Sequence, residues 1–256
     1  MIWCGRCNPC RNGYPNHCTN LEELGFTIPG AFANYIAVDE KFCWPIDAIA
    51  DRFGDEAKAY EVGAMTEPAA VAYNGMFERA GGFRPGHYVS VFGAGPIGLA
   101  AIGLAKASGA GIIAAFEISP ERLALAKQVG ADFVYDPREV SAGDVLMDLR
   151  KGAGFDFQVE AAGAPHLTIP EMEKAMAINS KVVQIGRASQ KVPMDLEAFQ
   201  VRRSQADGAQ GHSGHETFPN VIRMVAAGRL DLGPIVTGRY GLEATVDAIA
   251  KSLERT

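Results

Sequence analysis

The chain has 256 residues, 48% hydrophobic and 21% charged, ordinary proportions for a globular protein with a sizeable core. Its net charge of −6, from 24 Lys and Arg against 30 Asp and Glu, disfavours a nucleic-acid binder or a basic membrane-surface protein, since both need a positive face. No basic stretch leads into an apolar one at the start, so no export signal is expected and a cytoplasmic setting is.

Four cysteines come first, spaced Cys4-x2-Cys7-x2-Cys10-x7-Cys18. A bacterial iron–sulfur motif would place the fourth cysteine three residues after the third, followed by proline; here the gap is seven and Thr19 follows. Disulfides need an oxidising compartment, to which nothing points. Four-thiolate zinc suits the spacing, with Gly5, Pro9, Gly13 and Pro15 supplying tight turns. Paired or free thiols remain the competing reading, and His17 could replace Cys18 as a ligand. A closed site of this kind stabilises and has no open position for catalysis. Cys43, in KFCWPI, reads as a small buried hydrophobe.

Next comes TEPAAVAYNG, residues 66–75, expected as a helix with Thr66 as its cap and Pro68 in its first turn. Glu67 there would at the least favour the helix dipole.

From Arg84 onward the pattern is regular. A strand at 88–92 leads into Gly93-x-Gly95-x-x-Gly98, then a helix to about Ser108, then the strand GIIAAFE ending in Glu117, nineteen residues after Gly98. The first glycine makes the turn, the second lets backbone approach a pyrophosphate, and the third allows close helix–strand packing. Gly93, Gly95, Pro96, Ile97 and Gly98 would therefore cradle the phosphates at a helix N-terminus. Glu117 would bind the ribose hydroxyls and repel a 2′-phosphate, favouring NAD over NADP, with Arg122 beside it. A glycine turn made for packing alone is the alternative. Length alone would let 89–116, with Lys106 its single charge, cross a membrane. Its glycines, Pro96 and Ser108-Gly109 instead divide it into strand, turn, helix and strand.

The alternation continues, with strands expected at 132–135, 156–160, 182–186 and 205–210 and helices at 120–129, 141–151, 167–178 and 195–203. Such alternation means parallel strands with right-handed crossovers, an α/β doubly wound sheet. Gly163 and Gly186, in the turns after the fourth and fifth strands, would let backbone approach the nicotinamide half. Asp207 would weaken the sixth strand or mark it as an exposed edge.

The cysteine lobe, TEPAAVAYNG and VFGAGPIG, in that order, resemble the zinc-dependent medium-chain alcohol dehydrogenases of the polyol and threonine dehydrogenase branch. QVRRSQADGAQGHSGHETFP, residues 200–219, is most similar to the inosose dehydrogenases within it. The resemblance implies a zinc lobe on the remnant of a β-rich GroES-like catalytic domain at 1–79, including GAFANYIAVDE. It further implies an NAD-binding domain at 80–212 and a return segment at 213–256. It implies Glu67 at or near a catalytic zinc, a Lewis acid toward the alcohol oxygen, while hydride passes to the nicotinamide. The substrate class is a small polyol, cyclitol or hydroxy amino acid, and the parent enzyme is expected to be a homo-oligomer.

Against the family pattern, the catalytic cysteine and Gly-His-Glu motif usual before the lobe, and the last strand usual after AIAKSLERT, are missing from this sequence. It is therefore expected to be truncated at both ends and inactive alone; the alternative function is a non-catalytic nucleotide-binding module with a zinc lobe. Gly214-His215-Glu216 repeats the letters of the missing motif, but Pro219 stands where the family has glycine. His212 and His215, three apart, could share a helix face as ligands, although lining the cofactor cleft or capping the next helix is the plainer expectation.

Overall fold

The computed structural model describes residues 1–253, so the last three residues of AIAKSLERT lie outside it. The chain opens with a short helix, α1 (Asn8–Arg11), then loops, then α2 (Asp47–Phe53), α3 (Glu56–Ala64) and α4 (Thr66–Tyr73). Within residues 1–79 the described β structure is two isolated bridges, Ile2 with Glu22 and Leu24 with Ile28. GAFANYIAVDE is largely exposed loop. Thr66 does not cap α4: Met65 holds the cap position, and the Thr66 hydroxyl, one residue inside, donates to Gly63 O at 2.6 Å. Because α3 ends only one residue earlier, its last carbonyls lie closer to that hydroxyl than any free amide of α4.

The rest is one parallel sheet wrapped by helices. In chain order come β1 (Tyr88–Phe92), α5 (Pro96–Ala107), β2 (Ile112–Phe116), α6 (Pro120–Val129), β3 (Phe133–Tyr135) and α7 (Ala142–Leu149). They are followed by β4 (Phe155–Glu160), α8 (Pro165–Lys174), β5 (Met176–Gln184), α9 (Leu196–Arg202) and β6 (Gln205–Gly208). The strand order is β3-β2-β1-β4-β5-β6, all parallel, so the order reverses between β1 and β4 and opens a crevice at the carboxyl edge. Helices α10 (Thr217–Ala226) and α11 (Thr245–Leu253) close the chain.

β5 starts at Met176, not near 182, and α8 ends at Lys174, short of 178. Met176 and Ala177 continue the apolar run of the helix in sequence, but the chain bends at Asn179, φ 64°, and its pairing with β4 shifts between Phe155 and Phe157. A bulge lets both stretches bury against one neighbour.

Each face of the sheet carries a core, because alternate side chains point oppositely. Val89, Val91, Ile113, Ala115 and Phe157 pack with α4, α5 and α10; Phe92, Phe116 and Phe155 pack with α7 and α8. Ala69, Ala70 and Ala72 of α4 are fully buried, so its contact with α5 and α10 is close. Cys43 is exposed, contrary to expectation. Phe42 and Trp44 take the inward positions on either side of it, and an extended chain turns the residue between them outward.

Candidate functional site

The cysteine lobe brings its four Sγ atoms within 4.8 Å of one another, with Cys18 buried and the other three half-buried. Cys7 Sγ and Cys18 Sγ lie 3.8 Å apart, the edge of a tetrahedron built from bonds of about 2.3 Å to zinc. The backbone amides of Cys4 and Asn20 donate to Cys18 Sγ at 3.3 and 3.4 Å. Backbone hydrogen bonds, that of Cys10 first, lower the Cys7 thiol to about 6, and those of Arg6 and Cys7 lower Cys4. Loss of hydration, followed by the hydrogen bond with Cys7, pushes Cys10 up to about 12. The donor set, spacing and amide cradle fit a four-thiolate metal; His17, exposed, lies outside the cluster.

The lobe is fastened to the loop after β6. Asn16 Nδ2 donates to Ser213 O at 3.0 Å and Ser213 N to Asn16 Oδ1 at 2.9 Å, both residues buried. His215 Nε2 lies 2.9 Å from Gly13 O. His212 and His215 therefore sit in a loop and share no helix face, and neither caps α10, whose N-terminus has no side-chain cap. Positive φ at His215 and Glu216 sends the chain around a turn before the helix can start.

His212 instead joins Glu67. Its Nε2 is 3.3 Å from Glu67 Oε1, and both line a cavity of 890 Å³ with Thr66, Trp44 and Phe218. Burial, with the Met1 amino group, lowers His212 to about 4, which disfavours an ion pair with Glu67. Loss of hydration raises Glu67 despite the opposing pull of the Met1 amino group, although 55% of its side chain is accessible.

A second cavity, 650 Å³, lies at the carboxyl edge between β1, β2 and β4. Gly93, at φ 90°, has room for no Cβ, which would meet Ala162 Cα at 2.6 Å. A Cβ on Gly98 would lie 1.9 Å from Gly93 O. The glycine turn thus closes on itself for internal reasons at two positions. Gly95 is different: its φ is −68° and a Cβ would meet nothing within 4 Å, so no contact among the described residues demands glycine. Pro96 begins α5 there, and since Leu99 N already bonds Gly95 O, the amides of Ile97 and Gly98 are the helix's unpaired donors. An open glycine before free helix amides is a cradle for an anion.

Glu117, 7% exposed, lies across the turn: Oε2 accepts from Ala94 N at 2.7 Å, and Oε1 from Ile118 N and Ser119 N at 2.8 and 3.1 Å. Arg122 lines the same cavity, as do Ser119, Arg138 and Thr168, which sequence patterns did not single out. Gly163 and Gly186 pack against each other, for a Cβ on Gly186 would lie 2.5 Å from Gly163 N. Glu160, also missed, is fully buried where β4 ends and accepts from Ala162 N and Ala164 N. Its signal was a carboxylate at the carboxyl end of the strand FDFQVE, where such sheets bind ligands.

Comparison with known proteins places these features together. The zinc-binding dehydrogenase family model matches residues 96–227, and the alcohol dehydrogenase GroES-like domain matches 1–48. The chain is 42% identical to scyllo-inosose 3-dehydrogenase of Thermotoga maritima, over 98% of this chain and 64% of that relative's length. It is 30% identical to sorbitol dehydrogenase of Bacillus subtilis, over 99% of this chain and 69% of the relative. Among solved structures, a short chain alcohol dehydrogenase of Escherichia coli CFT073, in complex with NADH, superposes with a TM-score of 0.85 at 26% identity. That superposition covers 99% of this chain and 72% of the other.

Proposed function

Because this chain belongs to the zinc-binding dehydrogenase family, we propose that its protein is an oxidoreductase transferring hydride from a secondary alcohol to NAD. The alcohol is a small polyol, cyclitol or hydroxy amino acid, as the names of its relatives suggest. The observation that carries the reading is Gly95. A glycine that neither backbone conformation nor packing requires, beside free helix amides and a buried carboxylate 19 residues beyond the turn, leaves a space shaped for a dinucleotide.

In this reading Gly93, Gly95, Pro96, Ile97 and Gly98 hold the pyrophosphate, and Glu117 and Arg122 face the adenosine ribose. Gly163 and Gly186 shape the turns beside the nicotinamide. Glu117 already anchors the turn through Ala94 N, so the same carboxylate would fix both the phosphate loop and the ribose. Cys4, Cys7, Cys10 and Cys18 hold a structural zinc. Glu67 stands at or near a second zinc, which when bound supplies Lewis-acid polarisation of the alcohol oxygen. Residues 1–79 carry the metal lobe and Glu67, 80–212 the cofactor fold, and 213–256 the return segment; the core shared by α4 and α5 favours their folding as one unit. Among the described residues no helix is long and apolar enough to cross a membrane. A cytoplasmic homo-oligomer is proposed from the family resemblance.

Fluorescence titration with NADH and NADPH tests the cofactor reading. Wild type should bind NADH more tightly, and Glu117→Ala should lose that preference. Equal affinity of wild type for the two would sink the NAD assignment.

A further inference from the structure

The turn after β3 puts an arginine in the wall of the carboxyl-edge cavity and a carboxylate against that arginine. Resting on the dinucleotide reading of the cavity, we propose that Asp136 is a positioning residue for cofactor choice. It holds the Arg138 guanidinium away from a 2′-phosphate, so that Glu117 is one of two determinants of the preference for NAD over NADP.

The placement follows from the sheet. β2 and β3 pair in parallel with Phe116 opposite Tyr135, so the turns that follow them lie side by side. Glu117 opens the first turn and Asp136-Pro137-Arg138 the second. Arg138 Nη2 donates to Ile118 O at 2.7 Å, one residue beyond Glu117, and Arg138 lines the cavity. Asp136 lies outside the lining, with 14% of its side chain accessible.

The pair occupies one edge of the guanidinium. Arg138 Nε donates to both Asp136 oxygens at 3.0 Å, and Nη2 donates to Oδ2 at 2.6 Å. The guanidinium holds the Asp136 carboxyl below the usual carboxylate range, and Asp136, ahead of Glu139 and Glu117, raises Arg138, so both stay charged. Asp136 Oδ1 also accepts from Arg138 N at 2.9 Å, a turn bond that asparagine would make equally well. The turn needs an acceptor there; the guanidinium is what uses the charge.

Charge balance sets the consequence. Among the described residues the charged side chains lining the cavity are Glu117, Arg122, Arg138 and Glu171, and Glu171 is paired with Lys174 at 2.6 Å. Glu117 offsets Arg122, and Asp136 offsets Arg138. A 2′-phosphate must overcome Glu117 and needs a guanidinium edge to do so. With Asp136 neutral, one cation is unmatched, and Ile118 O still holds it at the turn. Glu121, held by Ser119 Oγ, and Glu139 are the same in both cases. Arg138 keeps 64% of its side chain accessible, so the pair acts at the modest scale of surface charges. An uncharged ribose hydroxyl is little affected.

The test is fluorescence titration of the full chain with NADH and NADPH, for wild type, Asp136→Asn, Arg138→Gln and the double variant. Calorimetry with adenosine 2′,5′-bisphosphate adds a probe that carries the 2′-phosphate and needs no nicotinamide. Asp136→Asn should tighten NADPH and the bisphosphate about fivefold and leave NADH within about twofold. A merely structural role would move both dinucleotides alike. With Arg138→Gln already in place, the same substitution should gain about twofold or less. An unchanged ratio of NADPH to NADH affinity in Asp136→Asn, or an equal gain with and without Arg138, would overturn the proposal. A fivefold gain for the bisphosphate in a chain that does not bind NADH would refute the dinucleotide reading and support the pair. Binding of neither probe by any of the four proteins would overturn both.

Discussion

Glu160 Oε2 accepts a 2.8 Å hydrogen bond from Gln184 Nε2 where β4 and β5 pair at the carboxyl edge of the sheet. Glu160 Oε1 accepts from Ala162 N and Ala164 N at 3.1 and 3.3 Å, and Gln184 also donates to Gly186 O at 2.5 Å. One buried carboxylate thus holds the turns that follow two strands. Glu160→Gln would set an amide donor against the Gln184 amide and should cost roughly 1–3 kcal/mol. Adding Gln184→Glu restores a donor facing an acceptor across the pair but gives up the bond to Gly186 O, so it should recover part of the loss. Urea melts of both single variants and the double variant decide it; a double variant whose loss equals the sum of the two single losses would remove the pair as the cause.

The same carboxylate predicts a pH effect. Burial raises the Glu160 pKa despite the hydrogen bonds that oppose the rise. A folded-state value above the unfolded one means that folding favours proton uptake. The contribution is full below the unfolded value of about 4.3 and is lost as pH rises through the folded value. The stability of wild type relative to Glu160→Gln should therefore be greater at pH 5 than at pH 7. A flat difference would mean that this carboxylate is not desolvated.

Gly95→Ala and Gly98→Ala separate folding from ligand binding. At 98 the new methyl would lie 1.9 Å from Gly93 O, so the turn must open, at a cost of roughly 1–3 kcal/mol. At 95 the methyl meets nothing within 4 Å and φ is −68°, so the melt should match wild type. NADH affinity should still fall about tenfold or more, because the methyl occupies the proposed phosphate position. Unchanged NADH binding by Gly95→Ala would move the phosphate elsewhere.

Thiol titration reads the lobe. In the native chain Cys43 is exposed and should react quickly, while Cys4, Cys7, Cys10 and Cys18 should be protected by the proposed metal. Chelation should free those four and lower Tm. Five equally reactive thiols before chelation would rule out a bound metal. Asn16→Ala, which leaves both backbone groups of buried Ser213 unpaired, should cost about 1–3 kcal/mol with the metal still bound.

Asp207 offers the opposite sign. Its Oδ2 is buried without a hydrogen-bond partner among the described residues, on β6 at the edge of the sheet. Asp207→Val removes that orphan and suits a strand, so it should stabilise by about 1 kcal/mol in a urea melt.

The parallel sheet and the glycine turn were legible in the sequence because their determinants are local. Apolar runs of strand length alternate with helical ones, and the turn needs glycines at fixed offsets. The cysteine lobe was legible for the same reason, since its ligands lie within 15 residues. Local pattern misled where a neighbour intervened. Thr66 has the chemistry of a cap, yet the end of α3 took its hydroxyl; Met176 continues a helical run, yet pairing with β4 made it strand. What only the tertiary structure decided is the meeting of residues far apart in the chain. Glu67 and His212 stand 145 positions apart in the sequence and 3.3 Å apart in space. No periodicity encodes that distance, which arises from α4 packing on α10 and from the cysteine lobe fixing the loop between β6 and α10. Spacing along a chain determines local geometry, whereas a cavity wall is assembled by the burial of surfaces that the sequence keeps separate.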